Sequence, residues 1–226
     1  MSPYLGLVLA YLAGSIPAAY IAGKLTRGID LRRHGSGNLG ATNVYRVLGA
    51  KIAVAVLVFD AAKGAVPVLW FPRLLDPNTT DAATSTLWAI AFGIAAIVGH
   101  VRPAFLLWKG GGKGVATASG VFGALAPAAI VITVVVWLAV LVTSGYMSLA
   151  SLAGAAVLPA AIAVLAGVRS PLFAVSVLVA GFVFWNHRSN IARLRRGEEP
   201  RFGRKSPPAS AVDSGAPDRP NAPDVR

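Results

Sequence analysis

The sequence from Val115 to Thr143, VATASGVFGALAPAAIVITVVVWLAVLVT, contains no charged side chain and decides the fold class. It is too long for one ordinary membrane-spanning helix, which needs about 20 apolar residues. Pro127 lies near its middle, and a proline interrupts a helix because it lacks an N–H group and clashes with the preceding turn. The stretch therefore predicts two apolar helices that meet at Pro127.

Other apolar runs flank this stretch and predict an all-helical, polytopic membrane protein. They cover residues 3–23, 47–70, 85–101, 149–166 and 172–186. Of the 226 residues, 55% are hydrophobic and only 13% are charged, about half the charged fraction of a soluble domain. The chain has no cysteine, which excludes disulfides, metal–thiolate sites and cysteine nucleophiles.

The basic residues predict how the helices are oriented. Lys and Arg are concentrated in residues 24–51, in residues 102–114 and after residue 187, whereas residues 71–84 carry one arginine and two aspartates. The positive-inside rule then places the N-terminus outside and the C-terminus in the cytoplasm. The number of crossings must be odd, and the break at Pro127 gives seven. Five crossings with one re-entrant pair is the alternative.

Charge also limits the possible functions and divides the chain. A net charge of +12 would suit nucleic-acid binding, but the apolar composition does not, so no nucleic-acid partner is expected. Four acids in the first 186 residues leave little room for a metal site or a two-carboxylate mechanism, so we expect no metal. We predict a transmembrane domain over residues 1–203 and a disordered cytoplasmic tail over 204–226, which is rich in Pro, Ser, Ala and Asp.

The first candidate segment is His34–Arg46, HGSGNLGATNVYR. Its glycines let the backbone expose N–H groups to a ligand, and its arginine carries a planar cation suited to phosphate. The small polar side chains that add donors are Ser36, Asn38, Thr42 and Asn43. The alternative is an ordinary polar loop in which Thr42 or Asn43 caps a helix.

The second candidate segment is Trp108–Thr117, WKGGGKGVAT, which directly precedes the apolar stretch. A flexible glycine-rich backbone, a helix N-terminus and a lysine together favour phosphate binding. It is not a Walker A motif, because Gly114 follows Lys113 where Ser or Thr would be required. The alternative is a flexible loop whose lysines only set the topology.

Two further groups of polar residues are candidates. After the last apolar run, His187, Asn190 and Leu194 have the spacing of one helix face. His187 is open to three roles: proton carrier, donor to an oxyanion, or structural residue. Asp60 and Lys63 lie three residues apart within an apolar run, where charges are functional candidates by default, or else form a structural ion pair.

The polar glycine-rich segments all fall on one predicted side of the membrane. This agreement predicts a site at the cytoplasmic interface that receives phosphate-bearing ligands. The residues alone do not distinguish an enzyme from a transporter.

These segments resemble the three motifs of the bacterial acyl-phosphate:glycerol-3-phosphate acyltransferases, the PlsY family. Ser36–Asn43 with Arg46 is similar to the first motif, and Gly112–Thr117 is similar to the second, although three glycines rather than two precede Lys113. The third corresponds to His187-Arg188, Asn190-Ile191, Arg193-Leu194, Gly197 and Glu199. Asp60, Lys63-Gly64, Gly99-His100 and Pro103 also fit family positions.

The resemblance implies a seven-span enzyme of the bacterial inner membrane with its active site on the cytoplasmic side. It would transfer an acyl group from acyl phosphate to the sn-1 hydroxyl of glycerol-3-phosphate, which gives lysophosphatidic acid and phosphate, the first step of phospholipid synthesis. No acyl-CoA, acyl carrier protein, metal or other cofactor is expected. The lipid product would leave into the membrane.

The resemblance also implies roles for individual residues. The candidate catalytic residues are Ser36, Arg46, Lys113, His187 and Asn190. The candidate substrate-binding residues are Gly37, Asn38, Gly40, Thr42, Asn43, Lys63, Gly110, Gly111, Gly112, Gly114 and Thr117. We expect the first segment to hold one phosphate and Lys113 with its glycines to hold the other, while His187 and Asn190 orient phosphate or polarise the reacting carbonyl.

Three other functions compete with this one. A transporter of phosphate or an organophosphate explains the cationic loops and predicts paired broken helices in two matching halves, which the sequence does not show. A CDP-alcohol phosphotransferase needs a cluster of aspartates for metal, which the sequence does not supply. A non-catalytic membrane scaffold would leave three polar motifs on one side without a purpose.

Overall fold

The computed structural model describes residues 1–75 and 81–203, and in these ranges it is helical without strands. The predicted tail, residues 204–226, lies outside the described residues. The helices, connected by turns and short 3-10 segments, are α1 Pro3–Ser15, α2 Ala18–Arg27, α3 Ala41–Leu48, α4 Ala50–Trp70, α5 Ala82–Val101, α6 Val115–Leu125, α7 Pro127–Ser144, α8 Met147–Ala166, α9 Pro171–Asn186 and α10 Arg188–Arg195. The prediction of an all-helical fold is confirmed.

The helix break predicted at Pro127 is present. Helix α6 ends at Leu125, Ala126 has non-helical angles, and Pro127 is the first residue of α7. A proline is well suited to this position, because the first N–H groups of a helix have no partner within the helix and the φ angle of proline already matches the helix. The long apolar stretch is therefore two helices.

The described residues form a multi-pass membrane fold. By length and composition the segments that suit a membrane crossing are Pro3–Arg27, Ala50–Leu74, Ala82–Leu106, Pro127–Ser144 and Met147–Ala166. Helices α9 and α10, which meet at an angle of 59°, add one more if they are counted as a single bent span. Helix α6 has 11 residues and is about 16 Å long, shorter than the ~30 Å hydrocarbon core. Seven crossings and their orientation stay predictions.

The polar segments meet at one end of the helical bundle. The N-terminal amino group contacts the carbonyl oxygen of Leu74, which places the start of α1 beside the end of α4. At the other end of α4, residues 32–39 contact residues 109–111, and Lys113 contacts Asn190. Segments that are far apart in the chain therefore build one site.

The close approach of α4 and α6 fixes where the second candidate segment begins. A methyl group on Gly64 would overlap the backbone of Thr117, and one on Gly120 would overlap the backbone of Ala61. Small residues at such contacts let two membrane helices approach closely. Because α6 starts directly after Gly114, this contact holds the glycine-rich segment in place relative to α4.

Candidate functional site

A cleft of about 1060 Å³ lies between α3, α4, α6 and helices α7–α10. Part of its lining, which we call the polar end, is polar and cationic, and another part, which we call the apolar wall, is apolar. The polar end is lined by Ser36, Gly37, Asn38, Gly40, Thr42, Asn43, Arg46, Gly110, Gly111, Lys113, Gly114, His187 and Asn190. The apolar wall is formed by Val54, Leu57, Val58, Ile130, Val134, Trp137, Leu141, Leu158 and Val179. Most of the residues expected from the sequence are therefore brought together in one cleft.

The buried amide of Asn43 shapes the first segment. Its oxygen accepts a hydrogen bond from the backbone N–H of Ser36 at 2.8 Å, and its nitrogen donates to the carbonyl oxygens of His34 and Leu31 at 3.0 and 3.4 Å. Asn43 is 2% exposed, and its side chain holds the loop that presents Ser36 to the cleft. The structure thus gives this side chain contacts with the backbone, where the sequence suggested a contact with substrate.

Helix α3 carries the cationic side chain of the first segment. Gly40 is the residue before the helix, and Thr42 lies in its first turn. Arg46 follows Thr42 by four residues, so both lie on one face, and both line the cleft. Arg46 is therefore the cationic side chain that α3 places in the polar end.

The second segment is a tight loop whose glycines are required by its shape. Gly110 and Gly114 have φ angles of +83° and +87°, which residues with a Cβ adopt only at a cost. A Cβ on Gly111 would overlap the backbone of Val101, and a Cβ on Gly112 would overlap the ring of His100. The N–H of Gly112 also donates to the carbonyl oxygen of His100 at 3.3 Å. The segment is therefore packed against the end of α5.

Hydrogen bonds join the first and second segments. The carbonyl oxygen of Gly111 accepts from the side-chain amide of Asn38 at 3.1 Å and from the backbone N–H of Leu39 at 3.3 Å. Nearby, Arg32 donates to the carbonyl oxygen of Lys109 at 3.2 Å. The polar end of the cleft is thus one connected backbone framework.

A chain of polar side chains links the second and third segments. The ammonium group of Lys113 donates to the amide oxygen of Asn190. The amide nitrogen of Asn190 donates to one carboxylate oxygen of Glu199 at 2.6 Å, and Arg193 donates to the other at 2.7 Å. Glu199 is only 6% exposed, so its carboxylate acts mainly on these neighbours.

Burial and the neighbouring charges together determine the charge state of Lys113. Burial lowers the pKa of Lys113 to about 8, and Arg193 and Arg46 add to the effect while Glu199 opposes it. Burial alone would raise the pKa of Glu199, but hydrogen bonds from neighbours that include Asn190 and Arg193 hold that pKa below its usual range. At neutral pH the pair is therefore a protonated lysine and an ionised glutamate.

His187 lies at the junction of α9 and α10 and lines the same cleft. Its Nδ1 atom is 2.8 Å from the carbonyl oxygen of Val183. Because a carbonyl oxygen only accepts, Nδ1 carries the hydrogen, so in the neutral ring Nε2 is the acceptor that remains for a ligand.

Three residues expected to bind substrate do not line the cleft. Gly112 packs against His100 as described above. The ammonium group of Lys63 lies 2.8 Å from a carboxylate oxygen of Asp60 and donates to the carbonyl oxygen of Ile16 at 2.9 Å. Thr117 is fully buried where α6 meets Gly64, so its hydroxyl is inaccessible to a ligand in this arrangement.

Other cleft residues were not among the sequence candidates. They include Trp137, Ser148, Ser151, Asn186 and Glu199. Glu199 was named only as part of the third motif, and the others lie in or at the end of apolar helices, where sequence gives no sign that they face a cavity. Among the described residues, no group of three or more His, Asp or Glu side chains is close enough together to hold a metal ion.

Comparisons with known proteins identify the family of the chain. The glycerol-3-phosphate acyltransferase family model matches residues 4–197. A glycerol-3-phosphate acyltransferase of Geobacter metallireducens is 50% identical over 193 residues, covering 85% of this chain and 94% of that protein. One from Geotalea daltonii is 41% identical over 198 residues, covering 88% and 96%.

Solved structures are similar as well. The crystal structure of PlsY, an integral membrane glycerol 3-phosphate acyltransferase, in its glycerol 3-phosphate form matches with a TM-score of 0.79 and 35% identity, over 90% of this chain and 96% of that chain. Its lysophosphatidic acid form matches with a TM-score of 0.77 and 34% identity, over the same shares.

Together with the helical membrane fold, these relatives and structures define a multi-pass membrane acyltransferase and favour it over the transporter. The chain belongs to the glycerol-3-phosphate acyltransferase family.

Proposed function

We propose that the enzyme transfers an acyl group from acyl phosphate to the sn-1 hydroxyl of glycerol-3-phosphate at the cytoplasmic face of the bacterial inner membrane. The observation that carries this proposal is the combination, in a single cleft, of a cationic polar end and an apolar wall. A phosphate group and an acyl chain can lie there together. The two substrates together therefore need only this one cleft.

The polar end has the groups that phosphate binding requires. Arg46 provides a guanidinium, Lys113 provides an ammonium, and both line the cleft. Helix α6 begins at Val115, two residues after Lys113, and a helix N-terminus favours an anion. Ser36 and Thr42 add hydroxyl donors at the same end. We propose that these residues hold the two phosphates of the substrate pair.

The reaction needs little from the protein beyond positioning and charge stabilisation. The hydroxyl oxygen of glycerol-3-phosphate forms a bond to the acyl carbonyl carbon, and the bond from that carbon to the phosphate oxygen breaks. The released phosphate keeps the electron pair and takes up the hydroxyl proton. Acyl phosphate is an activated anhydride, so aligned reactants and cations that match the developing charge account for the catalysis.

We propose that His187 orients the hydroxyl group of glycerol-3-phosphate that attacks the acyl carbon. Its Nδ1 is committed to the carbonyl oxygen of Val183, so Nε2 of the neutral ring can accept a hydrogen bond from the hydroxyl. Asn190 holds Lys113 and thereby sets the position of the cation. Glu199 acts through Asn190 and is a positioning residue.

The relatives support the acceptor and the product. The similar PlsY structures are a glycerol 3-phosphate form and a lysophosphatidic acid form. The apolar wall of the cleft, formed by α4 and α7–α9, suits the acyl chain of a membrane lipid. The basic residues around the polar end favour the cytoplasmic side under the positive-inside rule.

The test is an assay of the purified full-length chain with acyl phosphate and labelled glycerol-3-phosphate. We expect labelled lysophosphatidic acid and an equal amount of phosphate. Acyl-CoA in place of acyl phosphate is the matched control and should give no product. Product from acyl-CoA alone would contradict the proposed donor, and near-normal activity of both Arg46→Ala and Lys113→Ala would contradict the proposed site.

A further inference from the structure

Three ionisable side chains form a buried cluster behind the glycine-rich segment. Asp60, Lys63 and His100 are 2%, 6% and 6% exposed. A carboxylate oxygen of Asp60 lies 2.8 Å from the ammonium group of Lys63 and 3.5 Å from Nδ1 of His100. Asp60 and Lys63 belong to α4, and His100 belongs to the last turn of α5. The cluster therefore joins two membrane helices.

Stability alone is a weak reason for such a cluster. Replacing a buried ion pair by well-packed apolar residues is often neutral or stabilising. Charges within membrane helices are rare, costly and usually functional. The cluster also reaches a third element, because Lys63 donates to the carbonyl oxygen of Ile16 at the break between α1 and α2. An apolar contact could supply the same stability, but the ion pair and hydrogen bond of this cluster fix the relative positions of three elements.

The cluster is connected to the phosphate-binding end through the backbone. The carbonyl oxygen of His100 accepts from the N–H of Gly112, and the ring of His100 occupies the space that a side chain at Gly112 would need. The next carbonyl, that of Gly111, accepts from Asn38 and Leu39. The path from Asp60 to the first candidate segment thus consists of one ring and one glycine-rich turn.

Part of the cluster also lines the cleft, so a direct contact with substrate has to be tested as well. Asp60 and His100 border the cleft, whereas Lys63 does not. The ammonium group of Lys63 pairs with the carboxylate of Asp60 and donates a hydrogen bond to the carbonyl oxygen of Ile16. A direct contact with substrate and an action through the loop therefore predict different outcomes for the same variants.

We propose that Asp60, Lys63 and His100 are positioning residues that fix the backbone of residues 110–114 for phosphate binding. They act through the carbonyl oxygen and ring of His100 and not through contact with the substrate. This inference rests on the proposed function, because it concerns the same phosphate-binding segment.

The first experiment measures the order of the segment directly. The chain has no native cysteine, so Lys109→Cys gives a single attachment point for a nitroxide spin label beside the segment. We expect the label to be more mobile in the double variant Asp60→Asn/Lys63→Met, which removes both charges together, than in the parent. The matched control is Asp81→Asn, at the N-terminus of α5, which should leave the spectrum unchanged.

The second measurement is kinetic and uses the same double variant without the label. We expect kcat/KM to fall about tenfold to a hundredfold, the scale on which a misplacement of ~1 Å acts, with the larger part in KM. A folded double variant with parental mobility and parental kinetics would overturn the proposal. Lost activity with parental mobility would also overturn it, because that result indicates direct contact with substrate.

A pair of variants at His100 keeps the test decisive if the double variant does not fold. Asn at position 100 keeps an N–H donor near the place of Nδ1 and can still contact Asp60. Leu has a similar size but no hydrogen-bond donor. We expect His100→Asn to keep most of the activity and the parental mobility, and His100→Leu to lose both. Equal behaviour of the two variants would contradict the proposal. Failure of the proposed function would show instead as an inactive parent enzyme, while label mobility would still report on the cluster.

Discussion

The side-chain amide of Asn38 donates a hydrogen bond to the carbonyl oxygen of Gly111 at 3.1 Å, across 73 residues of sequence. Together with the N–H of Leu39, which donates to the same oxygen, it joins the loop before α3 to the loop before α6. Helix α3, which follows the first loop, carries Arg46, and the second loop carries Lys113; both cations line the cleft. The separation of the two cations therefore depends on this contact.

Replacing Asn38 by Ala should loosen the contact between the two loops. One hydrogen bond of this kind is worth about 0.5–1.5 kcal/mol, so we expect kcat/KM to fall about two- to tenfold. Asn38→Asp is the matched variant, because it keeps the shape but places a carboxylate against a carbonyl oxygen, and it should lose more activity than Asn38→Ala. Steady-state kinetics check both. Parental kinetics for Asn38→Asp would show that the contact does not matter to the reaction.

The activity should fall in alkaline solution as Lys113 loses its proton. Because burial lowers the pKa of Lys113 to about 8, the lysine is charged below that pH and becomes neutral as the pH rises through it. The pH dependence of kcat/KM reports the free enzyme, so we expect a decline above about pH 8. In Lys113→Arg the guanidinium stays charged, and the remaining activity should not show this decline. An unchanged alkaline limb in Lys113→Arg would assign the titration to another group.

Replacing Glu199 by Gln should lower the activity indirectly, because Glu199 contacts Asn190, which holds Lys113. The carboxylate favours the charged form of Lys113, so its removal should shift the alkaline decline of kcat/KM to lower pH. It also replaces charge-assisted hydrogen bonds from Asn190 and Arg193, and we expect a loss of about tenfold to a hundredfold in kcat/KM. The matched control is Glu198→Gln, whose exposed side chain pairs with Arg196. A similar loss in both variants would mean that the effect is not specific to Glu199.

A bulky residue in the apolar wall should change which acyl chains are accepted. Val134 of α7 lines the cleft, whereas its neighbour Val135 is 60% exposed and does not. We expect Val134→Trp to raise KM for long-chain acyl phosphates by about tenfold while short chains are affected less, because a steric block acts only on the part of the chain that reaches it. Val135→Trp should leave the preference unchanged. Parallel assays with acyl phosphates of two chain lengths check this, and equal effects of the two variants would place the chain elsewhere.

The features that sequence predicted are those decided by local rules. Pro127 divides α6 from α7 because a proline interrupts a helix in any context. The convergence of Ser36, Arg46, Lys113 and Asn190 was predicted because polar segments and glycines stand out against an apolar background.

The features that sequence left open depend on how helices are rotated and packed. Thr117 follows the glycine-rich segment by one turn and could have faced the cleft, but the close contact of α6 with Gly64 turns it inward. Lys63 was a candidate for substrate binding, with an ion pair to Asp60 as the alternative, and the structure shows the ion pair; the spacing alone allowed both. Trp137 and Ser148 line the cleft from apolar helices whose sequence favours no particular face.

The apolar wall of the cleft is open to the outside of the protein, because Val54, Leu57, Val58 and Val134, which line it, are exposed. The surroundings that an acyl chain leaves on entering the cleft are then hydrocarbon and not water, and exchange between two apolar media releases little free energy. Affinity must come from the phosphate group of the substrate. The acyl chain affects binding mainly through steric exclusion, when it is too long or too bulky for the cleft. An enzyme of this design would select lipids by exclusion, and the composition of the bilayer itself would set the supply of each chain length.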